Sequence, residues 1–85
     1  LKEDAMQREE ARTLLNQIFR SLFDDESLSI TEQTTAKDVS GWDSLNHMNL
    51  IVEVEKTFGI KMTTREVQSL KNAGDLITII TNKAK

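Results

Sequence analysis

Not one of the 85 residues is proline, and only three are glycine. A chain so short of turn formers is poorly suited to a β domain, which needs a turn every few residues, and well suited to helices. Cysteine is also absent. That removes a disulfide framework, a thiolate metal site and a cysteine nucleophile encoded in the chain. Stability is left to packing, in a chain long enough for one small core. A content of 38% hydrophobic and 29% charged residues belongs to a folded domain rather than a disordered tail. No apolar run approaches the ~20 residues that span a bilayer, and no signal-peptide pattern opens the chain. The expectation is a single cytoplasmic domain over residues 1–85, with residues 1–5 a boundary remnant or a linker.

Helical spacing is plain in the first quarter. Ala11, Leu14, Leu15, Ile18, Phe19, Leu22 and Phe23 make one apolar stripe, which predicts a helix from about Asp4 to Phe23. Asp4 would cap it, with Gln7 as the capping-box partner. Asp24 to Gly41 reads as a long polar loop with apolar anchors at Leu28, Ile30 and Val39. A second helix is expected to start at Asp43 or Ser44 and to stop before Gly59, a good residue for the left-handed stop. Thr63 and Glu66 have capping-box spacing for a short helix from Thr64 to about Leu70. Asn72 can cap a last helix over residues 73–82, with Leu76, Ile77, Ile79 and Ile80 inward. The β-branched run from Ile77 to Thr81 has strand propensity, but a lone strand would have no partner. The fold predicted is all-α, a bundle of three longer helices, a short third helix and a long first loop.

The second helix has two apolar faces. At 100° per residue from Ser44, His47, Leu50, Ile51, Val54 and Phe58 fall between about 240° and 340°. Leu45, Met48 and Val52 fall between about 40° and 100°. A helix packed only in its own bundle needs one stripe, so the second predicts a further contact, with the short helix or with another protein. Charge is uneven as well. Residues 24–55 hold eight acids against one base, whereas residues 56–85 hold six bases against two acids. The acidic middle would repel phosphates and attract basic protein surfaces, which argues against a nucleic-acid partner.

Ser44 is the residue with chemical promise. It follows a long loop and opens a helix, where the dipole favours a phosphate joined to its hydroxyl. Nothing near it has the look of a base with an orienting acid, so a Ser-His hydrolase is not indicated. His47 has no second His or Cys with which to hold zinc, and Asp24-Asp25-Glu26 lacks the glycine and terminal glutamate of a calcium loop. No metal site and no catalytic residue are predicted. Ser44 reads either as a helix-start residue or as a point of attachment for chemistry done by another enzyme.

Gly41-Trp42-Asp43-Ser44-Leu45, followed by Met48, Leu50, Ile51, Val54, Glu55 and Phe58-Gly59-Ile60, resembles the acyl carrier protein family. That family has Asp-Ser-Leu at the start of its second helix, an aromatic about fourteen residues later, and often Gly-Ile after it. The likeness runs from about Ile30 to Ile80. It implies a four-helix carrier that is not itself an enzyme. Ser44, between Asp43 and Leu45, would bear 4′-phosphopantetheine, transferred from coenzyme A by a phosphopantetheinyl transferase. Acyl groups would ride on the arm's thiol as thioesters. Leu45, Met48, Asn49, Val52, Glu55 and Leu70 would form the docking face for an acyl-loading ligase or acyltransferase and for condensing or transferring enzymes. The core around Leu50, Ile51, Val54 and Phe58 would partly receive the acyl chain, and the carrier would be a monomer.

Departures from the family pattern refine this. Fatty-acid carriers usually have acids where Asn46 and Asn49 stand here, and more acids near Lys56, Arg65 and Lys71. Trp42 before Asp-Ser-Leu resembles carriers of specialised lipid or polyketide-type pathways, and is expected to act as a loop anchor on the bundle. A carrier of fatty acid biosynthesis stays open, and so does an aminoacyl or peptidyl carrier using the same Ser44. So does an unmodified helical adaptor that docks through Leu45, Met48 and Val52. A calcium-responsive module is the remotest reading.

Overall fold

The computed structural model describes residues 7–84. Within them are four helices and no strand: α1 (Arg8–Leu22), α2 (Ser44–Phe58), α3 (Thr64–Gln68) and α4 (Ala73–Lys83). The all-α expectation holds, and the run from Ile77 to Thr81 is helical. No helix of the described residues is long and apolar enough to cross a membrane.

Cap chemistry sets most of the helix ends. Asp43 accepts the Asn46 N–H at 2.9 Å to open α2. Gly59 closes it at φ 65°, and the following Ile60 N–H returns to the Glu55 carbonyl at 3.2 Å. Thr63 and Glu66 form the full reciprocal capping box of α3. Asn72 accepts from the Asp75 N–H at the start of α4. The start of α1 differs from expectation. Asp4 lies outside the described residues, and α1 begins at Arg8 after an extended Gln7 that makes no side-chain cap. The two acids in its first turn, Glu9 and Glu10, suit the helix dipole there instead. At the other end Asp24 takes the left-handed turn, φ 52°, and the Asp25 N–H bonds the Arg20 carbonyl at 3.0 Å. Asp24 thus does what glycine usually does at a helix end.

α1 packs against both α2 and α4. Leu15 and Phe19 of α1 meet Leu50, Ile51 and Val54 of α2 and Leu76, Ile77 and Ile80 of α4 in one buried core. Ile79, expected inward, is only half-buried. The long loop is anchored through Ile30 and Val39, both buried, and through half-buried Leu28.

Polar ties fix that loop to the helices. The Arg8 guanidinium grips Glu32 with two bonds of 2.6 and 3.1 Å and also donates to Thr78 Oγ1 at 2.9 Å. Asn16 Oδ1 accepts the Ile30 N–H, and Arg20 Nε donates to the Leu28 carbonyl. The N–H groups of Ala73 and Gly74 donate to the carbonyls of Thr34 and Glu32, both at 2.8 Å. These are orphan donors of the first turn of α4, satisfied by the loop. A Cβ on Gly74 would stand 2.7 Å from the Glu32 carbonyl oxygen. Helix propensity alone makes Gly74→Ala stabilising by about 1 kcal/mol. Overpacking reverses the sign, and we expect a loss of about 1–3 kcal/mol. A thermal melt reads this as a fall of about 4–8 °C for each kcal/mol, and an unchanged or raised Tm contradicts the close approach.

The hydrogen bond to Arg8, aided by its charge, holds the Glu32 carboxyl below the usual glutamate range. The Thr63 N–H and then Lys83, 3.1 Å away, do the same for Glu66. A carboxyl depressed in the folded state binds protons more readily once unfolded. Its contribution is present above the unfolded value near 4.5 and is lost as pH falls through the lower folded value. Stability should therefore decline below about that pH, and Glu32→Gln should make the decline shallower. Urea midpoints measured across the acid range test this, and equal slopes in the two proteins would contradict it.

Candidate functional site

Ser44 is the first residue of α2 and is exposed. Its neighbours are fixed on both sides. Before it, the Trp42 N–H bonds the Val39 carbonyl at 3.1 Å and the Asp43 N–H bonds the Gly41 carbonyl at 2.9 Å. Gly41 holds φ 93° against the Phe23 ring, a backbone state that L side chains rarely adopt. After it, the Asn46 amide donates to the Gly41 carbonyl at 2.8 Å, and the Asn49 amide donates to Asn46 Oδ1 at 3.2 Å. Among the described residues no hydrogen bond engages the Ser44 hydroxyl. A rigid frame therefore presents one free hydroxyl at a helix N-terminus, beside first-turn N–H groups that the helix itself cannot satisfy.

Trp42 is the loop anchor expected of it. Its ring meets Phe19 edge to face, centroids 5.1 Å apart, at 83°. Its Nε1–H also donates to His47 Nδ1 at 3.0 Å, while His47 Nε2 lies 3.2 Å from the Val67 carbonyl oxygen. An indole N–H only donates, so Nδ1 accepts and the ring proton sits on Nε2. Neither ring nitrogen is free to act on Ser44, so the hydroxyl is presented but not activated. Helical spacing places His47 on the inward stripe of α2 and shows neither bond. The available signal was the indole itself, which needs a partner when half-buried.

The second apolar stripe of α2 faces out. Leu45 is 72% exposed, Met48 52% and Val52 50%. The short α3 does not cover it. Leu70 is half-buried on the core and joins Met48 in lining a cleft of about 600 Å³ whose edge includes Ser44. Trp42, His47 and Val67 form its inner side, and Ala36, Asp43, Gln68 and Lys71 also border it. Asn49 is exposed beside Asn46. Glu55 sits further along α2, half-buried, with its carboxylate accepting the Met62 N–H at 2.8 Å. Among the described residues no three His, Cys, Asp or Glu side chains cluster as metal ligands. An exposed, unpartnered hydroxyl at a positive helix end, next to an open cleft of mixed lining, fits a phosphate-linked arm.

Comparison with known proteins agrees with this geometry. Residues 13–80 match the family model described as a phosphopantetheine attachment site. An acyl carrier protein of Onion yellows phytoplasma is 40% identical over 53 residues, covering 62% of this chain and 70% of that protein. An acyl carrier protein of Thermotoga maritima is 26% identical over 76 residues, covering 89% and 94%. The solution structure of a holo acyl carrier protein from Geobacter metallireducens superposes with a TM-score of 0.81 at 46% identity, covering 86% of this chain and 84% of that one. With the attachment-site model spanning most of its length, and with this fold and these relatives, the chain belongs to the acyl carrier protein family, carriers with covalently bound 4′-phosphopantetheine rather than enzymes.

Proposed function

We propose that Ser44 is the attachment point of the phosphopantetheine arm, and that this carrier serves a specialised lipid or polyketide-type pathway. The observation that carries the first part is the free Ser44 hydroxyl held between fixed neighbours. When bound, the arm supplies a terminal thiol on which acyl groups travel as thioesters between enzymes. Asp43 and Asn46 hold the first turn of α2 in place, so the hydroxyl is offered in one orientation to a phosphopantetheinyl transferase. Leu45, Met48 and Val52 form the apolar face on which that transferase, a loading ligase or acyltransferase, and condensing or transferring enzymes would dock. Such a face favours brief encounters, which a carrier with several partners requires.

The polar surround of that face supports the second part. Asn46 and Asn49 are neutral. Lys56 lies 3.7 Å from Glu53 and offsets its charge. Glu55 is turned to the Met62 backbone. Leu70 and the cationic Lys71 line the same cleft as Met48. Partners suited to this surface are less basic than those suited to a strongly acidic carrier.

Incubation of the apo-protein with coenzyme A, magnesium and a broad-specificity phosphopantetheinyl transferase, followed by intact mass, tests the attachment. A gain of one phosphopantetheinyl unit is expected. No gain in a folded sample, with a known carrier modified alongside, would contradict it. A Kd for purified loading enzymes that stays insensitive to added salt would support the weakly charged face, whereas a steep salt dependence would count against it.

A further inference from the structure

A hydrogen-bonded bridge runs through three of the residues that line the cleft beside Ser44. Trp42 donates to His47, and His47 donates to the Val67 carbonyl. One side-chain bridge thereby joins the loop before α2, the first turn of α2, and α3. Phe19 braces Trp42 from behind. Of the residues that line the cleft, Val67 alone belongs to the buried core, and none of Leu50, Ile51 and Val54 reaches it.

We propose that this Trp42–His47–Val67 bridge bars the helical core to a carried chain, so that the carrier takes short acyl groups held in the open cleft rather than long aliphatic chains. This rests on Ser44 as the attachment point. A chain that passes between the first turn of α2 and α3 must part His47 from Val67. Each polar group so stranded costs roughly what one to four buried methylenes return. The imidazole and the carbonyl together offset about two to eight methylenes. A chain of octanoyl length gains little by entering. The cleft itself offers Met48 and Leu70 as an apolar wall, with Gln68 and Lys71 at its rim. That mixed lining suits a short acyl group with a polar substituent.

The test loads the apo-protein from coenzyme A, butyryl-coenzyme A and octanoyl-coenzyme A with the same transferase, checks each product by intact mass, and melts each one. Each methylene buried in a domain of this size raises Tm by about 3–6 °C. A chain lying in the open cleft keeps most of its surface in water, so the butyryl and octanoyl forms should both melt within about 3 °C of the holo form, less than one buried methylene. In Trp42→Phe/His47→Leu the octanoyl form should melt about 10 °C or more above that variant's own holo form. A wild-type octanoyl form raised by about 10 °C overturns the proposal even where the variant does not fold. A folded variant whose octanoyl form gains nothing also overturns it. Amide shifts of the wild type give a second reading. Octanoyl loading should move Met48 and Leu70 and leave Leu50 and Val54 in place, and movement of the latter pair overturns the proposal. Failure of the mass to rise at all would instead remove Ser44 as the attachment point, and the bridge proposal with it.

Discussion

Ser44→Ala is expected to accept no phosphopantetheine under conditions that load the wild type to completion, while it melts like the wild type. The first half follows from chemistry, because alanine has no oxygen to join to phosphorus. The second half follows from the site. Ser44 is exposed, and no hydrogen bond engages its hydroxyl among the described residues. The start of α2 is held by Asp43 and Asn46 and does not depend on Ser44. Surface replacements of this kind stay within about 0.5 kcal/mol. Intact mass reads the first half and a thermal melt the second. Residual loading of the variant would mean that another hydroxyl serves. A large fall in Tm would mean that Ser44 also supports the fold.

Phe19→Ala carries the largest expected cost in stability. Phe19 is fully buried, with its ring centroid 5.6 Å from that of Phe23 and 5.1 Å from that of Trp42. Removing a buried aromatic ring costs about 3–5 kcal/mol. An 85-residue domain has only about 4–13 kcal/mol in total, so the variant should sit near its unfolding threshold. The effect should also reach the site. Trp42 loses its brace, and the bond from its indole to His47 loses the geometry that Phe19 enforces. Urea unfolding followed by circular dichroism reads the stability, and the fluorescence of Trp42, the only tryptophan, reads its surroundings. A loss below about 1 kcal/mol would place the centre of the core elsewhere.

Much of this was legible in the sequence because cap chemistry is local. Asp43, Gly59, Thr63 with Glu66, and Asn72 each mark a helix end through bonds to residues a few positions away, and all five act as read. The two stripes of α2 were legible for the same reason, since a helix of known pitch converts spacing into direction. Long-range polar pairing was not. Arg8 and Glu32 stand 24 residues apart, and no periodicity links them. His47 fell on the inward stripe, but its partners Trp42 and Val67 lie on other elements. Glu55 was read as a docking charge, and its carboxylate is already engaged by the backbone beyond the turn that it helps to close. The run Asp24-Asp25-Glu26 shows in the sequence only that it is no calcium loop. In the structure Asp24 supplies the left-handed turn, and the Asp25 carboxylate takes the N–H and hydroxyl of Ser27 at 3.0 and 2.6 Å. Sequence spacing shows where a charge is, not what it faces.

The most direct test of the central claim is to locate the modification by residue. The loaded wild type is digested, and the peptide that carries both Ser40 and Ser44 is fragmented in a mass spectrometer. Fragment ions should place the phosphopantetheinyl group on Ser44 and leave Ser40 bare. Ser40 lies outside α2, four residues ahead of the helix start, and has none of the helix-end geometry that favours a phosphate. A group found on Ser40, or spread over several hydroxyls, would contradict the reading of the helix N-terminus as the site.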